Sequence, residues 1–113
     1  MGALATALTE FSDNGDSRTY TTAGSTASSP KLVIEKRKVP VGGQTVAEFS
    51  CAVVHGTADS DGLVLQQKVS LTATGRYPID GDAADLAAAL VIFRDIVASD
   101  EFEASLTSQN WVE

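Results

Sequence analysis

The chain holds one cysteine and one histidine in 113 residues. Cys51 has no partner for an intrachain disulfide, and a small buried thiol inside the apolar run FSCAVV is the expected role. A lone His55, with only Cys51 on the same strand phase and well along the strand, builds neither a zinc site nor a nucleophile-base pair. Cations are scarce as well: eight Lys and Arg stand against fifteen Asp and Glu, a net charge of −7. That balance argues against a uniformly basic nucleic-acid binder. The apolar stretch around Leu86 is broken by Arg94 and Asp95 before it is long enough to span a bilayer. The opening MGALATALTEF lacks the basic segment and long apolar run of an export signal. A soluble, unexported chain without a membrane partner is the expectation.

Catalytic and metal signatures are missing too. VGGQT has no lysine to make a phosphate-cradling loop. A calcium loop starting at Asp80 would need a bidentate acid where Val91 stands, and one starting at Asp59 would need it at Ser70. With no acid-base pair either, no enzyme activity, metal or cofactor is expected.

What is present is ordinary globular composition, 43% hydrophobic and 20% charged, in a length that fits a single domain over residues 1–113 with a thin core. Asp13-Asn14-Gly15-Asp16 is a strong turn signal and predicts an N-terminal hairpin within residues 1–22. Small polar residues 23–30 form a surface connection ending at Pro30. A sheet is predicted over 31–76. KLVIEKRKV is β-branched and basic, and stops at Pro40 and Gly42-Gly43. QTVAEFSCAVVHG places Ala47, Phe49, Cys51 and Val53 on one face and Glu48, Ser50, Ala52 and Val54 on the other. LVLQQKVSLTATGR, from Leu63, alternates most cleanly, with Leu63, Leu65, Val69, Leu71 and Ala73 opposite Gln66, Lys68, Ser70, Thr72 and Thr74. Short connections make an antiparallel meander the simplest topology.

Two helices are predicted over 82–108. Asp82 caps the first, through the amide of the third helical residue, and it runs from Ala83 to about Ala98; Asp100 with Glu103 reads as a capping box for a shorter second helix that fades before Asn110. Leu86, Leu90, Phe93 and Val97 form an apolar stripe on the first helix, while Val91, Ile92 and Ile96 spread the apolar surface beyond it. One sheet covers one stripe. Each large side chain left in water forfeits about 1.5–3 kcal/mol, so either the hairpin folds over the outer side or a second copy covers it. The hairpin is too polar to suffice, and an obligate homodimer with Leu86, Leu90, Phe93 and Val97 at its interface is expected.

Charge is unevenly distributed. Residues 31–76 carry Lys31, Lys36, Arg37, Lys38, Lys68 and Arg76 against four acids, whereas 77–113 carry only Arg94 against eight acids. On the wet side of the sheet Lys68, Ser70 and Thr72, with Lys31 and Arg37 alongside, offer cations for phosphates and hydroxyls for bases or ribose. Because Leu32, Val33 and Ile34 are consecutive, Lys36 and Lys38 can replace Arg37 on that face. An ordinary wet sheet face is the competing reading.

In order of parts the chain resembles the coat proteins of single-stranded RNA bacteriophages. PKLVIEKRKVP, GTADSDGLVLQQKVSLTATGRYP and DLAAALVIFRDIVASDEFEASL carry that resemblance. It implies an α+β fold in which the hairpin, the antiparallel meander sheet and the two C-terminal helices build an interlocked homodimer. It further implies an icosahedral shell, assembled in the host bacterial cytoplasm, with the sheet facing the RNA genome inside the virion. Carried over by position, RNA binding and repression of replicase translation fall on Lys68, Ser70 and Thr72, with Ser50 on the neighbouring strand and Lys31 or Arg37 at the edge. The sequence is shorter in its strands and richer in helix alanine than that pattern. A small cytoplasmic dimeric RNA-binding regulator or binding module without a shell is the alternative.

Overall fold

The computed structural model describes residues 3–109, 111 and 112; Met1, Gly2, Asn110 and Glu113, which the hairpin, tail and helix-end expectations touch, lie outside them. Five strands precede two helices: β1 Thr9–Asp13, β2 Ser17–Thr21, β3 Lys31–Lys38, β4 Val46–His55, β5 Val69–Pro78, α1 Ala83–Val97 and α2 Asp100–Ser108. The chain divides into two compact units, Met1–Arg76 and Tyr77–Glu113.

In the first unit the strands form one antiparallel meander in sequence order. The N-terminal hairpin belongs to this sheet, because β2 pairs with β3 as well as with β1. Its turn works as the Asn-Gly signal predicts: Gly15 takes a φ of 79°, its amide donates to Asp13 Oδ1 at 2.9 Å, and Asn14 N donates to the Ser17 carbonyl at 2.8 Å. The small residues after β2 fold back on themselves. Ser25 Oγ accepts the Lys31 amide at 3.0 Å and Thr26 Oγ1 accepts that of Ser29 at 3.0 Å, which sets the entry into β3 just after Pro30. Gly56 fastens the far end of β4 to this connection by donating to the Pro30 carbonyl at 2.8 Å. A Cβ there would meet Ser29 Oγ at 2.9 Å and Ser29 Cα at 3.0 Å, so only glycine permits the approach.

The strand predicted from Leu63 begins instead at Val69. Local turn chemistry takes residues 63–68 away from it. Asp59 Oδ1 accepts the amides of Asp61 and Leu63 at 2.9 and 3.0 Å, Gly62 adopts a φ of 82°, and Ala58 bridges Val64. Leu65 N then donates to the Thr57 carbonyl at 2.9 Å, closing a tight loop of its own. Lys68 is left just ahead of β5.

In the second unit α1 and α2 pack on one another. Asp82 caps α1, accepting from the second helical amide, Ala84, at 2.9 Å and not from the third. Asp85 adds negative charge in the first turn. The cap of α2 is Ser99, one residue before the predicted Asp100: its Oγ accepts the Phe102 amide at 3.2 Å and donates to the Ile96 carbonyl at 2.6 Å. Phe102 thus occupies the position a capping-box acid would need, and Asp100, Glu101 and Glu103 supply first-turn charge. Gln109, in the left-handed conformation, ends the helix.

The core is very small. Val33 and Ala47 are the buried hydrophobic residues, each 8% exposed, and no side chain is fully enclosed among the described residues. No residue of α1 is buried; Leu86, Leu90, Phe93 and Val97 are 43%, 45%, 47% and 42% exposed. No helix is long and apolar enough to cross a membrane among the described residues.

Candidate nucleic-acid interface

Strand register decides which side chains share a face of the sheet. Residues directly opposed in an antiparallel pair point the same way. Lys36 opposes Ser50 and Lys38 opposes Glu48, while Lys31 opposes His55 and Arg37 opposes Phe49. One face therefore holds Leu32, Ile34, Lys36 and Lys38 of β3 with Glu48, Ser50, Ala52 and Val54 of β4, and the other holds Lys31, Val33, Glu35 and Arg37 with Phe49, Cys51, Val53 and His55.

The phase of β5 follows from its contacts with β4. Arg76 Nε lies 3.1 Å from Glu48 Oε1, and Thr74 lines one depression with Lys36, Lys38 and Ser50. A Cβ on Gly75 would lie 4.0 Å from the Phe49 carbonyl. Thr74 and Arg76 thus stand on the Ser50 face, and stepping by two along β5 brings Thr72 and Ser70 there as well. Of the sequence-predicted set, Ser50, Ser70 and Thr72 share one face of the sheet, with Thr74 standing between Thr72 and the Ser50 row. Lys31 and Arg37 lie on the opposite face, and Lys68 outside the strand ladder. The cations beside Ser50 are Lys36 and Lys38, the alternative phase left open by the aliphatic run Leu32-Val33-Ile34, together with Arg76.

The placement of Arg37 has a local cause. Its Nε lies 3.1 Å from Asp16 Oδ1, and its backbone amide donates to the Asp16 carbonyl at 2.9 Å, so the hairpin turn anchors it. On the same face Arg18, opposite Glu35, sits 3.5 Å from Asp13; a hydrogen bond with Tyr20, and then Asp13, stabilise its charge and raise its pKa. These cations are engaged by neighbouring acids of the hairpin. Lys36 and Lys38 have no ion pair among the described residues.

Beside Lys31, Glu35 and His55, the opposite face also carries apolar side chains. Ala47, Phe49, Cys51 and Val53 run along β4, and Val69 and Leu71 of β5 are 49% and 46% exposed. Burial raises the pKa of the Cys51 thiol, and the Glu35 carboxylate opposite adds to the effect. The side with Ser50 is polar at its Lys36–Lys38 end, where cations and hydroxyls suit phosphate and ribose contact, and aliphatic at its Leu32–Val54 end; the opposite side presents the exposed apolar residues Phe49, Val69 and Leu71. Glu48, Thr74 and Arg76 were not named as RNA-contacting residues from the sequence; alternation along β4 sets Glu48 on the Ser50 face, and cross-strand contact brings Thr74 and Arg76 beside it.

No family model matches this sequence, and no curated protein matches it. Solved structures match its fold. A chain of the virus-like particle of Wenzhou levi-like virus 4 aligns with a TM-score of 0.76 at 15% identity, covering 98% of this chain and 82% of that one. The virus-like particle of Beihai levi-like virus 32 gives 0.73 at 13% identity, covering 95% and 84%. That of bacteriophage GQ-907 gives 0.73 at 9% identity, covering 98% and 87%. At these identities the likeness is one of fold, and it spans the hairpin, the meander and both helices. In agreement with the resemblance to RNA-bacteriophage coat proteins, this chain has the α+β fold found in virus-like particles of levi-like viruses and bacteriophages.

Proposed function

We propose that this protein is the structural capsid protein of a single-stranded RNA bacteriophage, an obligate homodimer that assembles into an icosahedral shell and holds the genome against its polar sheet face. The observation that carries the reading is an apolar helix with no buried residue, in a fold whose solved neighbours are virus-like particles. The accessible surface is 8697 Å², whereas a folded monomer of 11.8 kDa exposes about 5,900 Å². An excess of about 2,800 Å² per chain, about 5,600 Å² for two, reaches the upper range of the total surface that obligate dimers bury.

The second copy supplies the missing cover. Its helices meet the apolar sheet face around Phe49, Val69 and Leu71, and Leu86, Leu90, Phe93 and Val97 find their partners across the two-fold axis. β5 ends the sheet, and pairing with its symmetry mate continues the ladder and removes an exposed edge. The residues 1–113 then act as one coat-protein domain. In this arrangement the polar face with Lys36, Lys38, Ser50, Ser70, Thr72 and Arg76 points inward to RNA. Repression of replicase translation through an RNA hairpin on the same face, and assembly in the bacterial cytoplasm, complete the proposed role. No catalytic step is part of it.

Expression in bacteria followed by sucrose-gradient sedimentation tests the reading. A fast-sedimenting fraction whose RNA survives added nuclease is expected. Protein found only at the dimer position, free of RNA, overturns the shell and leaves a dimeric binding module.

A further inference from the structure

On the polar face three charges of alternating sign cross three adjacent strands. Lys38 of β3 opposes Glu48 of β4, and Arg76 of β5 lies 3.1 Å from Glu48. The next row is Lys36, Ser50 and Thr74, with no acid in it. Among the described residues Glu48 is therefore the single carboxylate in these two rows of cations and hydroxyls. It sits within cross-strand reach of both Lys38 and Arg76. The Arg76 side chain is 68% exposed and that of Glu48 31%, so the pair is open to solvent on the cation's side. An ion pair this exposed is weak, and an arriving phosphate can displace it. Until it does, the carboxylate occupies the guanidinium that a phosphodiester would use and repels that phosphodiester at short range.

Resting on the RNA-binding reading above, we propose that Glu48 sets the affinity of this face for RNA, competing with backbone phosphate for Arg76 and Lys38. The face then gains less from charge alone. More of its binding depends on RNA that also meets the hydroxyls of Ser50 and Thr74.

The test is fluorescence anisotropy of a labelled, mixed-sequence single-stranded RNA oligonucleotide with the full chain, across a salt series. Wild type, Glu48→Gln, Arg76→Gln and the double variant are compared, with circular dichroism to confirm folding. Glu48→Gln keeps side-chain size and polarity. It is expected to bind roughly two- to tenfold tighter at low salt, with a log-log salt slope steeper by about one. Arg76→Gln is expected to weaken binding, and the gain from Glu48→Gln to shrink in that background. If wild type binds RNA and Glu48→Gln matches its affinity and slope, competition by Glu48 is wrong while the RNA face stands. An undiminished gain in the Arg76→Gln background likewise overturns it. If neither wild type nor Glu48→Gln binds RNA, both readings fall.

Discussion

Leu90 lies at the middle of the apolar stripe on α1 and is 45% exposed, so in the proposed dimer about half of its burial comes from the partner. Complete burial of a leucine contributes about 1.5–3 kcal/mol, which leaves roughly 1 kcal/mol per subunit for the interface. The two-fold axis counts the residue twice, so Leu90→Ala costs dimerisation about 2 kcal/mol, close to thirtyfold in affinity. Leu90→Asp forfeits the same apolar burial and in addition buries a carboxylate, a penalty of several kcal/mol per subunit. Together these exceed about 5 kcal/mol per dimer, or more than three decades. Sedimentation velocity over a dilution series, read beside circular dichroism, checks both variants. The alanine variant is expected to dissociate at higher concentration than wild type, and the aspartate variant to lose the dimer boundary and its folded signal together. A compact, soluble, folded Leu90→Asp monomer refutes the idea that a second copy covers α1, and so does an unchanged dimer.

Other consequences are local. Removing the α1 cap by Asp82→Ala leaves the Ala84 amide without its acceptor and costs about 0.5–2 kcal/mol, visible as a lower thermal midpoint. Gly56→Ala forces the β4 end away from Ser29 and is expected to destabilise by about 1–3 kcal/mol, measured by chemical denaturation. Charge reversal at Lys36 and Lys38 is expected to lower RNA content and flatten the salt dependence by about one unit of slope for each phosphate no longer neutralised; reversal at Lys31 and Arg37, on the other face, leaves that slope unchanged. Cys51 has a raised pKa, so its thiolate forms at higher pH in the folded protein than in the unfolded chain. Its contribution to stability is fully present below the unfolded pKa and is lost as pH rises through the folded one. Alkylation by iodoacetamide, followed against pH, should turn on later in native protein than in urea.

Legibility in the sequence followed the range of the forces involved. The hairpin turn at Asn14-Gly15, the stop at Pro40 and the start of α1 at Asp82 are local, and each fell where the residues pointed. Local chemistry also explains the misplaced start of β5. The alternation from Leu63 onward suits a strand, but Asp59, Asp61 and Gly62 close a tight loop that takes residues 63–68 first. At Ser99 a hydroxyl one residue upstream displaced Asp100 as the cap.

The sheet face depended on information no single strand carries. Ser50, Ser70 and Thr72 were legible because β4 and β5 each alternate. Lys31 and Arg37 were assigned to their face through β3, where three consecutive aliphatics hide the phase; pairing with β4 and the hold of Asp16 on Arg37 decide it for the other side. Glu48 and Arg76 lie 28 positions apart in sequence and meet only through register. The apolar excess of α1, by contrast, was visible from composition alone, and the structure leaves every residue of that helix unburied.

Mass in solution speaks most directly to the claim that this chain builds a shell. Light scattering on purified protein, with electron microscopy of the same fraction, should show closed particles in the megadalton range that absorb as nucleoprotein. A single sharp species at twice the 11.8 kDa chain mass, unchanged when RNA is added, would contradict it.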